Sequence, residues 1–196
     1  METFYLILVI VIAYCLGSIS PSILIGRAMG KDIKKERSGN AGTTNTLRVL
    51  GKKAALATLL VDIGKGFASV EIGLLISGQT GAMACALAAF LGHLWPIYFH
   101  FKGGKGVAVA FGGILAVNWQ LALLSLAIVI LAVLITRMVS WGSVIVALSF
   151  PFTCYFMERD FLPYGMVMVV LMLWAHRTNI KRIINGEENK ISLKKK

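Results

Sequence analysis

VAVAFGGILAVNWQLALLSLAIVILAVLIT, residues 107–136, is apolar throughout except at a weak break, Asn118 to Gln120. A bilayer's hydrocarbon core takes about 20 residues of helix. The stretch therefore reads either as one long helix or as two shorter ones joined at the break. The choice decides the fold, because every segment that follows changes sides with it.

Working outward, further apolar runs occupy 3–25, 54–76, 81–99, 139–157 and 161–175, which makes seven candidate spans if 107–117 and 121–136 are separate and six if they are fused. Basic residues discriminate between the two. With seven spans, one side holds eighteen Lys and Arg (those of 26–53, Lys102, Lys105, Arg137 and the tail from Arg177), the other holds Arg159 alone, and Lys65 lies within the second run. With six, the split becomes eleven against eight. Cytoplasmic loops carry the excess of Lys and Arg. The expected fold is therefore all-α: a polytopic integral membrane protein with seven transmembrane helices, N-terminus outside and C-terminus cytoplasmic. It forms a single transmembrane domain over 1–196 whose last part, 183–196, is a polar cytoplasmic tail.

Composition leads the same way. Of the 196 residues 57% are apolar and 15% charged, whereas a globular chain has about 45–50% and about 25%. This excludes an ordinary soluble domain and intrinsic disorder. Twenty Lys and Arg against nine Asp and Glu give a net charge of +11. Nucleic-acid binders concentrate such charge on a soluble face; here it lies between apolar blocks, so no nucleic-acid partner is expected. Cys15, Cys85 and Cys154 are odd in number and far apart in apolar runs, which makes them small hydrophobic fillers rather than a disulfide or metal framework. The opening Met1, Glu2 and Thr3 lacks the basic start of a signal peptide, so the first run reads as a retained helix. The Lys194–Lys196 tip reads as a solvated anchor toward anionic headgroups.

Four polar clusters fall on the expected cytoplasmic side, each beside a helix end. In SGNAGTTNTLR (38–48), Ser38, Asn40, Thr43, Thr44 and Asn45 crowd around Gly39 and Gly42, with Arg48 one turn beyond Asn45. Helix capping uses one or two such residues, and arginine offers a planar fork matched to phosphate. A ligand site is the better reading. In FKGGKGVA (101–108), Gly103, Gly104 and Gly106 let backbone approach an oxyanion while Lys102 and Lys105 bring charge to a helix start. It is not a Walker A loop, since Gly106 follows Lys105 where Ser or Thr should stand. Taken alone, it reads equally well as a flexible basic loop.

In VSWGS (139–143), Ser140 and Ser143 read as helix caps beside the interfacial Arg137. In AHRTNIKR (175–182), His176 and Asn179 are three apart and would share a helix face. A histidine titrates near neutrality and is the usual general base, although an interfacial histidine is more often structural. His93 and His100 lack the carboxylate or cysteine company of a metal site, so no metal is expected. Asp62 and Lys65, at i and i+3 in the second run, are intramembrane charges that either serve the chemistry or hold helices together.

The three stretches SGNAGTTNTLR, GHLWP followed by FKGGKGVA, and HRTNIKR, in that order, resemble the motifs of the bacterial acyl-phosphate:glycerol-3-phosphate acyltransferases, the PlsY family. The similarity runs from the first helix to about Arg182. It implies a multi-pass enzyme of the bacterial inner membrane, with its active site at the cytoplasmic side, that needs no cofactor. Its partners would be acyl phosphate, glycerol 3-phosphate and membrane lipid. The reaction would move a fatty acyl group to the 1-hydroxyl of sn-glycerol 3-phosphate, giving lysophosphatidic acid and inorganic phosphate for phospholipid synthesis.

The same resemblance implies catalytic roles for Ser38, Arg48, Lys105, Ser143, His176 and Asn179. It implies substrate or phosphate binding by Asn40, Thr43, Asn45, Lys102, Gly103, Gly104 and Gly106, with Asp62 and Lys65 in support. Three positions depart from the family's pattern: Arg37 for glycine, Val109 for threonine and Ala175 for a basic residue. Acyl phosphate is a mixed anhydride with a good leaving group, so direct attack by the glycerol hydroxyl suffices and no covalent intermediate is required. The HxxxxD signature of thioester-dependent glycerophosphate acyltransferases is absent. A transporter of organic phosphate is the rival reading, but it should carry its polar groups near the midplane.

Overall fold

The computed structural model describes residues 1–191; the Lys194–Lys196 tip lies outside the described residues. All regular elements among the described residues are helical. They pack as two compact units, residues 1–118 and residues from 119 onward.

The first unit starts with α1 (Glu2–Gly17) and α2 (Pro21–Ala28), parted by a short break at 18–20. Pro21 opens α2, where its missing N–H costs nothing and its fixed φ suits a helix start. A polar loop leads to α3 (Thr43–Leu50), then to α4 (Lys52–Leu94) and α5 (Val107–Val117). α4 is interrupted at Ser77 and Gly78, the latter at φ +63°. A Cβ on Gly73 would lie 2.5 Å from the Gly81 carbonyl oxygen, yet eight residues of straight helix rise about 12 Å. α4 therefore doubles back, and its two arms are the second and third apolar runs of the sequence.

Small residues let these helices close on one another, as packing in lipid requires. Gly17 abuts the Ala89 backbone and Gly92 the Tyr14 carbonyl, joining α1 to the second arm. Gly66 abuts Val109 and Gly112 abuts Ile63, joining the first arm to α5.

α5 ends at Asn118, whose extended backbone breaks the helix, and α6 (Trp119–Thr136) begins afresh. The second unit continues with α7 (Val139–Met157), α8 (Leu162–Ala175) and α9 (Arg177–Ile184). Phe150 and Phe161 meet edge to face at 6.3 Å in its core. Past α9 the chain returns, and Ile191 N–H donates to the Arg137 carbonyl at 2.7 Å.

Each of the seven apolar runs is helical. By length and composition four stretches can cross a membrane (Glu2–Ala28, Lys52–Phe99, Trp119–Thr136 and Val139–Met157), or five with the bent pair from Arg159 to Ile184. That tally treats the doubled-back α4 as a single stretch and omits the short α5. Large apolar side chains such as Leu75, Leu131 and Ile135 stand fully outward.

Candidate active site

Beyond Trp95 and Pro96 the chain reverses through left-handed residues His100 and Phe101. The glycine loop then folds back on the end of α4: Gly103 N–H donates to the Leu94 carbonyl at 3.1 Å and Gly104 N–H to the His93 carbonyl at 3.0 Å. A Cβ on Gly104 would stand 2.5 Å from the Ala41 carbonyl oxygen and closer still to His93 Nε2. Only glycine fits so near to two fixed neighbours. Gly106, at φ +81°, turns the loop into α5.

Beneath this loop lies a buried charge cluster. Asp62 Oδ1 is 2.8 Å from Lys65 Nζ and 3.4 Å from His93 Nδ1. Lys65 Nζ also donates to the Ile19 carbonyl at 2.5 Å and lies 3.1 Å from His93 Nδ1. An ammonium can only donate, so His93 Nδ1 accepts, and the neutral ring keeps its proton on Nε2, facing Gly104. The pair at Asp62 and Lys65 was legible as i, i+3, but its third member comes from the other arm. His93 thus ties two buried charges to the backbone of the glycine loop.

The loop that leads from α2 into the first cluster also reaches the glycine loop. Lys34 Nζ donates to the Gly103 carbonyl at 3.0 Å. Partial burial, with the nearby charge of Lys102, lowers the Lys34 pKa; Asp32 opposes this weakly. Asn45, buried on α3, accepts Ser38 N–H at 3.3 Å and donates to the carbonyls of Ile33 and Glu36, each at 3.2 Å. Its amide thereby fixes the loop that presents Ser38. Thr43 Oγ1 is buried with no hydrogen-bond partner among the described residues, an open acceptor and donor inside the motif. Ser38 and Arg48 are exposed, while Asn40, Thr44 and Lys105 are half-buried. Arg37, where the resemblance implied glycine, sits at φ +53°. The left-handed backbone there explains why glycine suits the position.

Ser143, His176 and Asn179 are all buried in the second unit. Ser143 Oγ donates to the Val139 carbonyl at 3.1 Å. His176 does not share a helix with Asn179: the chain bends by 57° there, and His176 separates α8 from α9. Its Nδ1 lies 2.9 Å from the Met172 carbonyl. A carbonyl only accepts, so Nδ1 carries the proton and Nε2 is the basic nitrogen of the neutral ring. Asn179 Nδ2 donates to Glu188 Oε1 at 2.9 Å, Ser140 Oγ to the same oxygen at 2.8 Å, and Arg182 Nε to Oε2 at 2.8 Å. Burial alone would raise the Glu188 pKa; these three donors and the Arg182 charge outweigh it and hold the carboxyl below the usual range. Glu188 was not singled out in the sequence, where it is one of two adjacent glutamates in a polar stretch.

Among solved structures, the fold matches that of PlsY (YgiH), an integral membrane glycerol 3-phosphate acyltransferase. The TM-score is 0.91 with the glycerol 3-phosphate form, at 34% identity over 95% of this chain and 96% of the other. With the lysophosphatidic acid form it is 0.88, at 34% identity over 95% of each chain. The fold is that of a helical membrane acyltransferase. The profile of the family described as Glycerol-3-phosphate acyltransferase matches residues 7–186, and the chain belongs to that family. The glycerol-3-phosphate acyltransferase of Clostridioides difficile (strain 630) is 42% identical over 207 residues, covering 100% of both chains. That of Shouchella clausii (strain KSM-K16) is 40% identical over 199 residues, covering 96% of this chain and 97% of its own.

Proposed function

We propose that this chain transfers a fatty acyl group from acyl phosphate to the 1-hydroxyl of sn-glycerol 3-phosphate, releasing lysophosphatidic acid and inorganic phosphate. It does so within the bacterial inner membrane. The reading includes seven crossings, an external N-terminus and an active site at the cytoplasmic face, and rests for these on the distribution of Lys and Arg. The observation that carries the chemistry is the junction of the first two motifs, in which Ala41, together with Lys34 just ahead of the first motif, closes on Gly103 and Gly104 above His93.

In this reading Arg48, Lys105, Ser38 and Thr43, with the backbone of Gly103 to Gly106, bind and orient phosphate oxygens. Lys102 adds positive charge. Asn40 donates from the same loop, and Asn45 holds that loop in place. Ser143, His176 and Asn179 are assigned to the same reaction by the resemblance alone. The glycerol hydroxyl attacks the acyl carbonyl directly: the new ester C–O bond forms, the C–O bond to phosphate breaks, and phosphate departs with the bonding pair. The hydroxyl proton passes to a substrate phosphate oxygen or to His176 Nε2. Holding two phosphates in line and stabilising developing negative charge carries the rate. Asp62, Lys65 and His93 support the loop.

The test is product formation by the purified chain in detergent, with glycerol 3-phosphate and, in parallel, acyl phosphate, acyl-CoA and acyl-carrier protein. Lysophosphatidic acid from acyl phosphate alone is expected. Product from thioesters alone overturns the donor. No product from folded protein with any donor brings the transporter forward for flux assays in liposomes.

A further inference from the structure

A cleft of about 500 Å³ opens in the first unit between α2, the loop after it and the turn before the glycine loop. Arg27, Lys31, Lys34 and Lys102 line it, against a single acid, Asp32. That acid is engaged elsewhere: its Oδ1 accepts Lys34 N–H at 3.0 Å and its Oδ2 lies 3.9 Å from Lys35. The floor is apolar, with Ile23 and Phe99 buried against Ala41 and the Arg27 guanidinium 5.3 Å above the Phe99 ring. Of the residues the motifs supply, only Lys102 lines the cleft; Ser38, Arg48 and Lys105 do not.

Its surroundings are those of a membrane surface. Leu24 and Met29 on one side, and Ile97, Tyr98 and Phe101 on the other, are large apolar side chains left exposed. Four cations over an apolar floor, opening beside lipid-facing side chains, suit a phosphate carried on an apolar body. Basic clusters at the edge of a membrane helix recognise anionic headgroups in this way. Guanidinium and ammonium groups on residues that line one hollow match phosphate oxygens, and the Lys31 ammonium there also donates to the Val49 carbonyl at 3.2 Å.

We propose that this cleft is a second phosphate-binding site, separate from the substrate motifs, and that it holds the headgroup of an anionic membrane lipid. Lys34 joins it to the reaction site, because the same ammonium that lines the cleft holds the Gly103 carbonyl.

The test uses the full chain in mixed micelles of phosphatidylcholine and phosphatidate, and counts retained lipid by mass spectrometry. The variant is R27Q/K31Q, two exposed positions outside the proposed catalytic and substrate-binding groups. Phosphatidate retention is expected to fall roughly twenty-five-fold, the product of about five-fold for each of the two cations removed. Turnover in detergent free of anionic lipid should stay at the wild-type level. In a second arm inorganic phosphate competes with phosphatidate. Full displacement, lost in the variant, identifies the phosphate group as what is read, and displacement only by phosphatidate identifies the lipid. Retention by wild type should also fall with added salt. Equal retention by both proteins, no preference for phosphatidate over phosphatidylcholine, or salt-independent retention overturns the proposal, and the salt series needs no variant to fold.

Discussion

Gly104→Ala tests the fit of the glycine loop. The added methyl would stand 2.5 Å from the Ala41 carbonyl oxygen and nearer still to His93 Nε2, whereas ordinary contact begins at about 3.4 Å. Neither neighbour yields easily. Ala41 O is backbone, and the His93 ring is held by the Lys65 ammonium. The loop must therefore lift by about 1 Å, a misplacement that costs about a hundred-fold in rate when it moves groups that orient substrate. Lifting also lengthens the bond from Gly104 N–H to the His93 carbonyl, worth about 1 kcal/mol of stability. The assay is acyl-phosphate-dependent formation of lysophosphatidic acid by purified protein, with a melting curve on the same sample. Gly64→Ala is the control, since that glycine meets nothing within 4 Å. A Gly104→Ala enzyme within about three-fold of wild type would refute the reasoning, and so would a loss of rate matched by an equal loss of folded protein.

Three further outcomes are expected. Arg37→Gly should raise the melting temperature, because a left-handed non-glycine residue costs roughly 1–2 kcal/mol; an unchanged or lower value counts against strain at this position. Asp62→Ala alone should destabilise by about 3–5 kcal/mol, whereas Asp62→Leu with Lys65→Met should recover most of that loss, as replacing a whole buried pair does. A double variant as unstable as the sum of the singles would show that the pair is not the relevant unit. Glu188 has its folded pKa depressed below the ordinary value of 4.5. Its contribution to stability is therefore present above that pH and lost as pH falls through the folded value. Glu188→Gln should flatten the acid limb of the melting temperature against pH, and an acid limb as steep as wild type would contradict this.

The helices were legible because runs of apolar residues long enough to meet lipid leave little else to form, and Asn118 ended a helix as its break suggested. The turn at Ser77 and Gly78 lay in the gap between two runs, but that the arms doubled back depended on Gly73 and Gly81 meeting, a contact no hydropathy profile contains. The first motif read as a ligand site in which Asn45 takes part, whereas the structure gives Asn45 to its own loop. His93 was set aside for want of carboxylate company because its partners, Asp62 and Lys65, lie about thirty residues away on the opposite arm; its one sequence signal is its place in GHLWP, directly ahead of the glycine loop. The shared helix face of His176 and Asn179 failed because the chain bends between them, and there Glu188, from what reads as a polar tail, supplies the acceptor that fixes Asn179.

The doubled-back α4 also bears on biogenesis. Its arms are joined by so few residues that a chain entering a bilayer must deliver both together, as one helical hairpin. An aspartate or lysine travelling alone through lipid is expensive, yet this hairpin carries Asp62 and Lys65 on one leg and His93 on the other, so the charges are matched within the inserting unit. The part that holds up the glycine loop is thus also the part that can enter the membrane already neutralised, with the Ile19 carbonyl contributed by the break between α1 and α2, made before it.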